Sequence, residues 1–464
     1  MLKKNAEIEL RIEKVAFGGK GVARYDGMVL FVERALPGDH VRARIRKVKR
    51  NFAEAYPVEL LQPSPLRIEA PCRHFGYCGG CKWQNVDYQQ QLRFKQHIVA
   101  ESLAHIGGLR ELKVEATLPS PKVFHYRNKM EFSFTGRRWL TPEELDNPQI
   151  EKGFALGLHT PGAFDRIIQI DYCWLQSETL NQILRFATSY FRESGLPVYH
   201  LRTHEGLLRF LVLRESAARG EVMVNVVTSR PAREELADFA SQLRNRFPVV
   251  ASVVNGVNAR PAQIAYSDQV LVLAGKDHIE EQLDECIFKI SPNSFFQTNS
   301  HQAVQLYRLV RDLAEVEGER VWDLYSGIGS IAIFLARQAR EVVGFELVES
   351  AVQDAFENAR IKGTANCRFV AGDLKDTLQA HLSEAPEVVV CDPPRAGMHE
   401  QVVRMILKAN PRRIVYVSCN PTTLARDLAY FSSHYRVERV HPVDMFPHTY
   451  HVETVVKLDR RCAN

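Results

Sequence analysis

From about residue 286 onward, short apolar runs alternate with amphipathic stretches, and this rhythm limits the fold more than any other feature of the chain. The runs VWDLY, EVVGF, PEVVVCD and RIVYVSC are strand-like, and helical patterns separate them. Strands buried on both faces read this way, so the pattern predicts a parallel sheet with helices on both sides. Ligands of such sheets bind beyond the carboxyl ends of the strands.

Several polar motifs fall at those ends. Asp323-Leu-Tyr-Ser-Gly327-Ile-Gly329-Ser330 follows one run and opens the helical stretch IAIFLARQA. Glycines there let the backbone approach a ligand closely. Glu346 ends the next run, nineteen residues past Gly327, where a carboxylate can accept hydrogen bonds from two ribose hydroxyls. Gly327-x-Gly329-x-x-Ala332 alone also fits a dinucleotide fingerprint. Two later features favour S-adenosylmethionine: Asp373, after the strand-like RFVA, suits an adenine amino group, and Asp392-Pro393-Pro394-Arg395 closes PEVVVC.

Cys419 ends RIVYVSC, at the edge expected to face the ligand crevice. An isolated cysteine is more often a small core residue; its place beside the cofactor motifs makes it a candidate nucleophile. Next to a methyl donor, a thiolate can add to one carbon of an electron-poor double bond and make its neighbour nucleophilic enough to take the methyl group; a base must then remove a proton so that the thiolate can leave. Glu453, opening the last apolar strand TVVKL, suits that base; His448 and His451 are rivals.

The preceding 285 residues differ in character. Residues 7–60 alternate apolar and polar positions between turns at Gly18-Gly19, Asp26-Gly27 and Pro37-Gly38-Asp39, which predicts a small β-barrel. The segment His40–Arg50 holds six Lys or Arg and no acid, either a solvated strand face or a phosphate-binding edge. Gln62–Pro65 reads as a linker. Leu92, Val99, Leu103 and Ile106 share a helical face that Gly107-Gly108 ends. Residues 116–285 mix strand-like and helical stretches, with basic patches at Arg127–Lys129 and Arg137-Arg138.

The chain has 464 residues, 45% of them hydrophobic and 25% charged, with a net charge of +5. That is the composition of a globular protein of about three domains. No run of about 18 apolar residues predicts a membrane span, and the N-terminus lacks the apolar core of a secretory signal. A cytoplasmic monomer is expected. Nine cysteines in that compartment should not form a disulfide framework. Cys72-x5-Cys78-x2-Cys81 instead resembles a metal knuckle lacking its fourth ligand, and four thiolates accept either zinc or a [4Fe–4S] cluster.

Taken in order, SPNSFFQTN, DLYSGIG, CDPPRAG, VSCNPTTLARDL and HVETVV resemble the RNA (uracil-5-)-methyltransferases, and the match extends over nearly the whole chain, nearest to the 23S rRNA members. The resemblance implies an α/β protein in three parts. An N-terminal OB-like β-barrel of TRAM type would take residues 1–62. A central α+β RNA-binding domain with an iron–sulfur site would take 63–87 and 116–285. A C-terminal Rossmann-like S-adenosylmethionine methyltransferase domain would take 88–115 and 286–464.

The resemblance also implies roles. Gln297, Tyr325, Glu346, Asp373 and Asp392 would bind S-adenosylmethionine, with Asp392 also touching the uracil; Cys419 would be the nucleophile and Glu453 the base. Ser326 and Ser330 depart from the Cys and Asn of some members, which touches details of cofactor contact. Cys173 would complete the knuckle, holding [4Fe–4S] rather than zinc. Phe75, Tyr77 and Trp83 would shield the site or stack on bases. Cys286, Cys367, Cys391 and Cys462 receive no role. The implied reaction is C5 methylation of a flipped-out uridine in 23S rRNA, with tRNA as the alternative substrate.

Overall fold

The computed structural model describes residues 2–461, so Cys462 lies outside the described residues. Six strands between Glu7 and Gln62 form one sheet around a single apolar core. Its alternation is plain in His40–Val48, where Val41, Ala43 and Ile45 point inward and Arg42 and Arg44 outward. The basic run is therefore split. Arg44 pairs with Glu7 at 2.6 Å, and Arg42 pairs with Glu59 and Glu9, all from neighbouring strands. Arg46, Lys47, Lys49 and Arg50, at the hairpin tip, are exposed and form no ion pair among the described residues. The stretch read as a linker is docked instead: Ser64 is buried, and its N–H donates to Asp39 at 2.9 Å.

The helix Tyr88–His105 begins at Asp87, whose carboxylate accepts from the N–H of Gln89. Leu92, Val99 and Leu103 are buried, but Ile106 is 52% exposed because the helix has already ended. Val99 and Leu103 join a core that also contains Trp322, Leu424 and Leu428. This helix thus packs on the C-terminal sheet.

Seven strands between Lys129 and Gly275 form a second, mostly antiparallel sheet, covered by the helices Glu178–Glu193 and Arg233–Arg246. Half of the basic residues in the two expected patches are neutralised. Lys129 pairs with Glu131 at 2.5 Å and Arg138 pairs with Glu144, carboxylates that come from the adjoining strand position and from a short helix.

The C-terminal sheet positions the site. Its strands are β1 (Arg320–Leu324), β2 (Glu341–Glu346), β3 (Cys367–Ala371), β4 (Val388–Cys391), β5 (Arg413–Ser418), β6 (Tyr435–Val443) and β7 (Glu453–Arg460). They lie in the order β3-β2-β1-β4-β5-β7-β6. The first five are parallel, and β7 runs antiparallel between β5 and β6. Reversing β7 brings its first residue to the edge where the parallel strands end. No helix among the described residues is long and apolar enough to cross a membrane.

Candidate active site

The carboxyl edge of this sheet borders a cavity of about 1100 Å³. Gln297, Tyr325, Glu346, Asp373, Asp392, Cys419 and Glu453 all line it. The expected site residues therefore meet in one place, although they come from seven separate segments.

The turn after β1 is shaped for close approach. Tyr325, Gly327 and Gly329 have φ of 64°, 54° and 79°. A Cβ on Gly329 would stand 2.8 Å from the Phe369 ring. The Glu346 carboxylate accepts from the N–H groups of Gly327 at 3.0 Å and Val348 at 2.9 Å, which fixes it at the end of β2 with lone pairs left over. Asp373 caps the helix Leu374–His381, and the Lys375 N–H and ammonium hold its carboxyl below the usual range. Asp323 and Ser326 are buried, and each keeps one side-chain oxygen without a partner. Orphaned polar atoms beneath a glycine turn, with two carboxylates on neighbouring strand ends, suit a ribose and an adenine.

The loop carrying Gln297 is held from the central sheet. Asn128 donates from Nδ2 to the Gln297 carbonyl at 3.0 Å and to the Ser300 hydroxyl at 2.7 Å, and Arg214 donates to the Ser294 carbonyl at 2.5 Å. Neither residue carries a motif, and only the fold brings them to the cavity.

Cys419 and Glu453 are neighbours through sheet register. Ser418 pairs with Thr454, so the residues just beyond that pair stand at adjoining strand ends. Burial, together with the negative charges of Glu453 and Asp392, pushes the Cys419 thiol up to about 12, opposed by Arg395. Burial and Asp392 push the Glu453 carboxyl up to about 8, opposed by Arg395 and Lys95. Burial alone lifts Asp392 to about 7. The rival histidines are poor bases here. Burial lowers His448 and His451 to about 4, helped by Lys95 for both and by Arg395 and Arg127 for His451.

The family model for tRNA (uracil-5-)-methyltransferases matches residues 87–461, and the model for the TRAM domain matches residues 2–58. The chain belongs to the RNA (uracil-5-)-methyltransferase family. The methyltransferase is 43% identical to an uncharacterised RNA methyltransferase of Bacteroides thetaiotaomicron, over 96% of this chain and 100% of that one. It is also 43% identical to one of Porphyromonas gingivalis, over 97% and 99% of the two chains. Among solved structures, the tRNA (uracil-54, C5)-methyltransferase of Pyrococcus abyssi, in complex with S-adenosyl-L-homocysteine, superposes with a TM-score of 0.76 at 32% identity. That match covers 97% of this chain and 99% of the other. The methyltransferase thus has a TRAM domain followed by an S-adenosylmethionine-dependent methyltransferase fold, and its cofactor is S-adenosylmethionine.

A second cavity, of about 340 Å³, is lined by Cys72, Cys78, Cys81 and Cys173 together with Arg127. Their thiols are free, and burial raises all four, Cys78 to about 12. The Gly80 N–H donates to the Cys78 sulfur at 3.4 Å and the Gln84 amide to that of Cys81 at 3.2 Å. Contrary to the expectation of a metal knuckle, no group of three or more His, Cys, Asp or Glu among the described residues is arranged to hold a metal ion.

Proposed function

We propose that the methyltransferase puts a methyl group on C5 of a uridine in RNA through a covalent bond between Cys419 and C6. The observation that carries this reading is the register of β5 against β7, which brings a thiol and a carboxyl with raised pKa values to one cavity beside Glu346 and Asp373. Gln297, Tyr325, Glu346, Asp373 and Asp392 would hold the cofactor. S-adenosylmethionine, when bound, supplies an electrophilic methyl group and a positive charge.

Cys419 rests as a thiol. Its proton leaves as sulfur attacks C6, and Asp392, titrating near neutrality, is suited to accept it. Electrons of the C5–C6 double bond move towards O4, and C5 would then take the methyl group as the bond from the methyl carbon to the sulfonium sulfur breaks, leaving a neutral thioether. Glu453, as carboxylate, then takes the C5 proton. The C5–C6 double bond reforms, and the carbon–sulfur bond breaks to release Cys419. Arg395 favours the charged forms of Cys419 and Glu453 against their mutual repulsion and that of Asp392.

We keep 23S rRNA as the proposed substrate, on the strength of the motifs. Similarity to the archaeal tRNA enzyme favours tRNA as a second reading. The reading has the enzyme act in the cytoplasm as a monomer. Residues 1–62, 63–87 with 116–285, and 88–115 with 286–464 would be its three domains. We also propose that Cys72, Cys78, Cys81 and Cys173 hold a [4Fe–4S] cluster of structural role. Four thiols around one cavity could hold either group, and the resemblance of the motifs to the 23S rRNA members is what favours a cluster over zinc.

The deciding experiment offers the protein tRNA and 23S rRNA fragments containing 5-fluorouridine. Fluorine cannot leave as a proton, so a stable cofactor-dependent adduct should form and should be absent in Cys419→Ala. No adduct on either RNA, or an adduct in Cys419→Ala, overturns the mechanism. Mapping of 5-methyluridine by mass spectrometry then assigns the substrate.

A further inference from the structure

The segment Asp444–His451 leads into Glu453 and is gripped from several sides. His448 has a φ of 66°, a left-handed conformation that a non-glycine residue keeps only when its surroundings hold it. Its carbonyl accepts from the N–H groups of Lys82 at 2.9 Å and Trp83 at 3.0 Å, and its own N–H donates to Gln91 at 2.8 Å. Its ring stacks on Phe124 at 4.2 Å. Tyr126 donates to the Pro447 carbonyl at 3.0 Å.

The N-terminal domain also reaches this segment. The Phe17 ring meets Tyr450 edge-on, with centroids 5.6 Å apart. At the same turn a Cβ on Gly19, whose φ is +76°, would come within 3.3 Å of the Tyr450 Cβ. Tyr450 in turn lies against His451, with ring centroids 4.2 Å apart, and Phe446 meets His451 edge-on at 6.1 Å. Phe446 and His451 line the reaction cavity with Cys419 and Glu453. A continuous row of rings therefore runs from the TRAM domain to the site of chemistry.

We infer that the TRAM domain positions the reaction cavity as well as meeting RNA: Phe17 acts through Tyr450 on His451 and so on the approach to Glu453. Phe17 is a positioning residue and touches no substrate. His451, uncharged at neutral pH, can give or accept a hydrogen bond in the cavity, so its placement bears on how the uracil is seated. The inference rests on the covalent mechanism proposed above.

Full-length Phe17→Ala, Phe17→Tyr, Tyr450→Leu and Phe17→Ala/Tyr450→Leu test it, in single-turnover adduct formation with 5-fluorouridine RNA and in steady-state methylation. Phe17→Ala should lower the adduct rate and kcat about tenfold, as expected when a reacting group is slightly misplaced. Binding of S-adenosyl-L-homocysteine should stay within twofold. Phe17→Tyr, which keeps the ring, should recover most of the rate. The double variant should be no slower than the slower single variant, because both remove one contact. Unchanged kcat in Phe17→Ala, a loss confined to KM for RNA, or fully additive losses would each overturn the inference. A wild type that forms no adduct would instead sink the mechanism, and the inference with it.

Discussion

The Lys95 ammonium and the Asp444 carboxylate, both fully buried, form an ion pair between residues 349 positions apart. Lys95 also donates to the Phe446 carbonyl at 3.0 Å, and the Tyr88 hydroxyl donates to Asp444 at 2.8 Å. The pair ties the helix Tyr88–His105 to the segment leading into Glu453. Breaking a buried pair by removing one partner leaves an uncompensated charge and costs about 3 kcal/mol or more. Lys95→Met should therefore lower stability by that order in urea unfolding, and Lys95→Met/Asp444→Leu should recover part of it. Equal stability of Lys95→Met and wild type would show that the pair contributes nothing.

Glu453→Gln should form the Cys419 adduct with ordinary uridine and fail to release it. Denaturing gels should then show RNA-linked protein that wild type shows only with 5-fluorouridine. Ready turnover by Glu453→Gln would remove Glu453 from the role of base.

The raised acids set a pH dependence. Glu453 is competent as carboxylate, a form that grows as pH rises through about 8, so the single-turnover rate should climb between pH 6 and 9. Stability runs the other way. A carboxyl raised in the folded state gives stabilisation that is complete below its unfolded value near 4.5 and is lost as pH rises through about 8. Glu453→Gln should thus gain stability over wild type at pH 8 relative to pH 5, by on the order of 3 kcal/mol. A difference independent of pH would mean that Glu453 titrates normally.

Cofactor affinity should depend on the end of β2. If Glu346 accepts from the ribose hydroxyls as proposed, Glu346→Ala removes that acceptor, and the Kd for S-adenosyl-L-homocysteine should rise about 10- to 100-fold. Calorimetry measures it, and a change below threefold would show that Glu346 does not contact the ribose.

Protein purified without oxygen should carry about four iron atoms per chain, as a [4Fe–4S] cluster implies, with a broad visible absorption band. Cys173→Ser should lose both. Stoichiometric zinc in the purified protein would replace the cluster with zinc.

The strand rhythm after residue 286 made the C-terminal sheet legible, and the polar residues at run ends marked its active edge. Cys419 and Glu453 could be singled out because a strand end is a local feature. Their adjacency could not, since it depends on β7 being inserted antiparallel between β5 and β6. The charge run at His40–Arg50 left two readings open, because the acids that neutralise Arg42 and Arg44 sit on strands paired by register rather than by sequence. Asn128, Arg214 and Lys95 escaped notice for the same reason: each is a single polar residue whose partners arrive from distant segments. His451 stood as a rival base until its burial, and the cations around it, were known.

The helix Tyr88–His105 has a consequence for how the molecule assembles. Its apolar face is made early in synthesis, yet Leu424 and Leu428, against which Val99 and Leu103 rest, are added more than 300 residues later. Loop closure over such a span is slow relative to local folding, so a greasy stripe with a lysine in it stays bare while the central sheet forms. For that interval the newborn chain carries an uncovered apolar surface of the kind that chaperones shield, long before the residues that cover it in the finished enzyme exist.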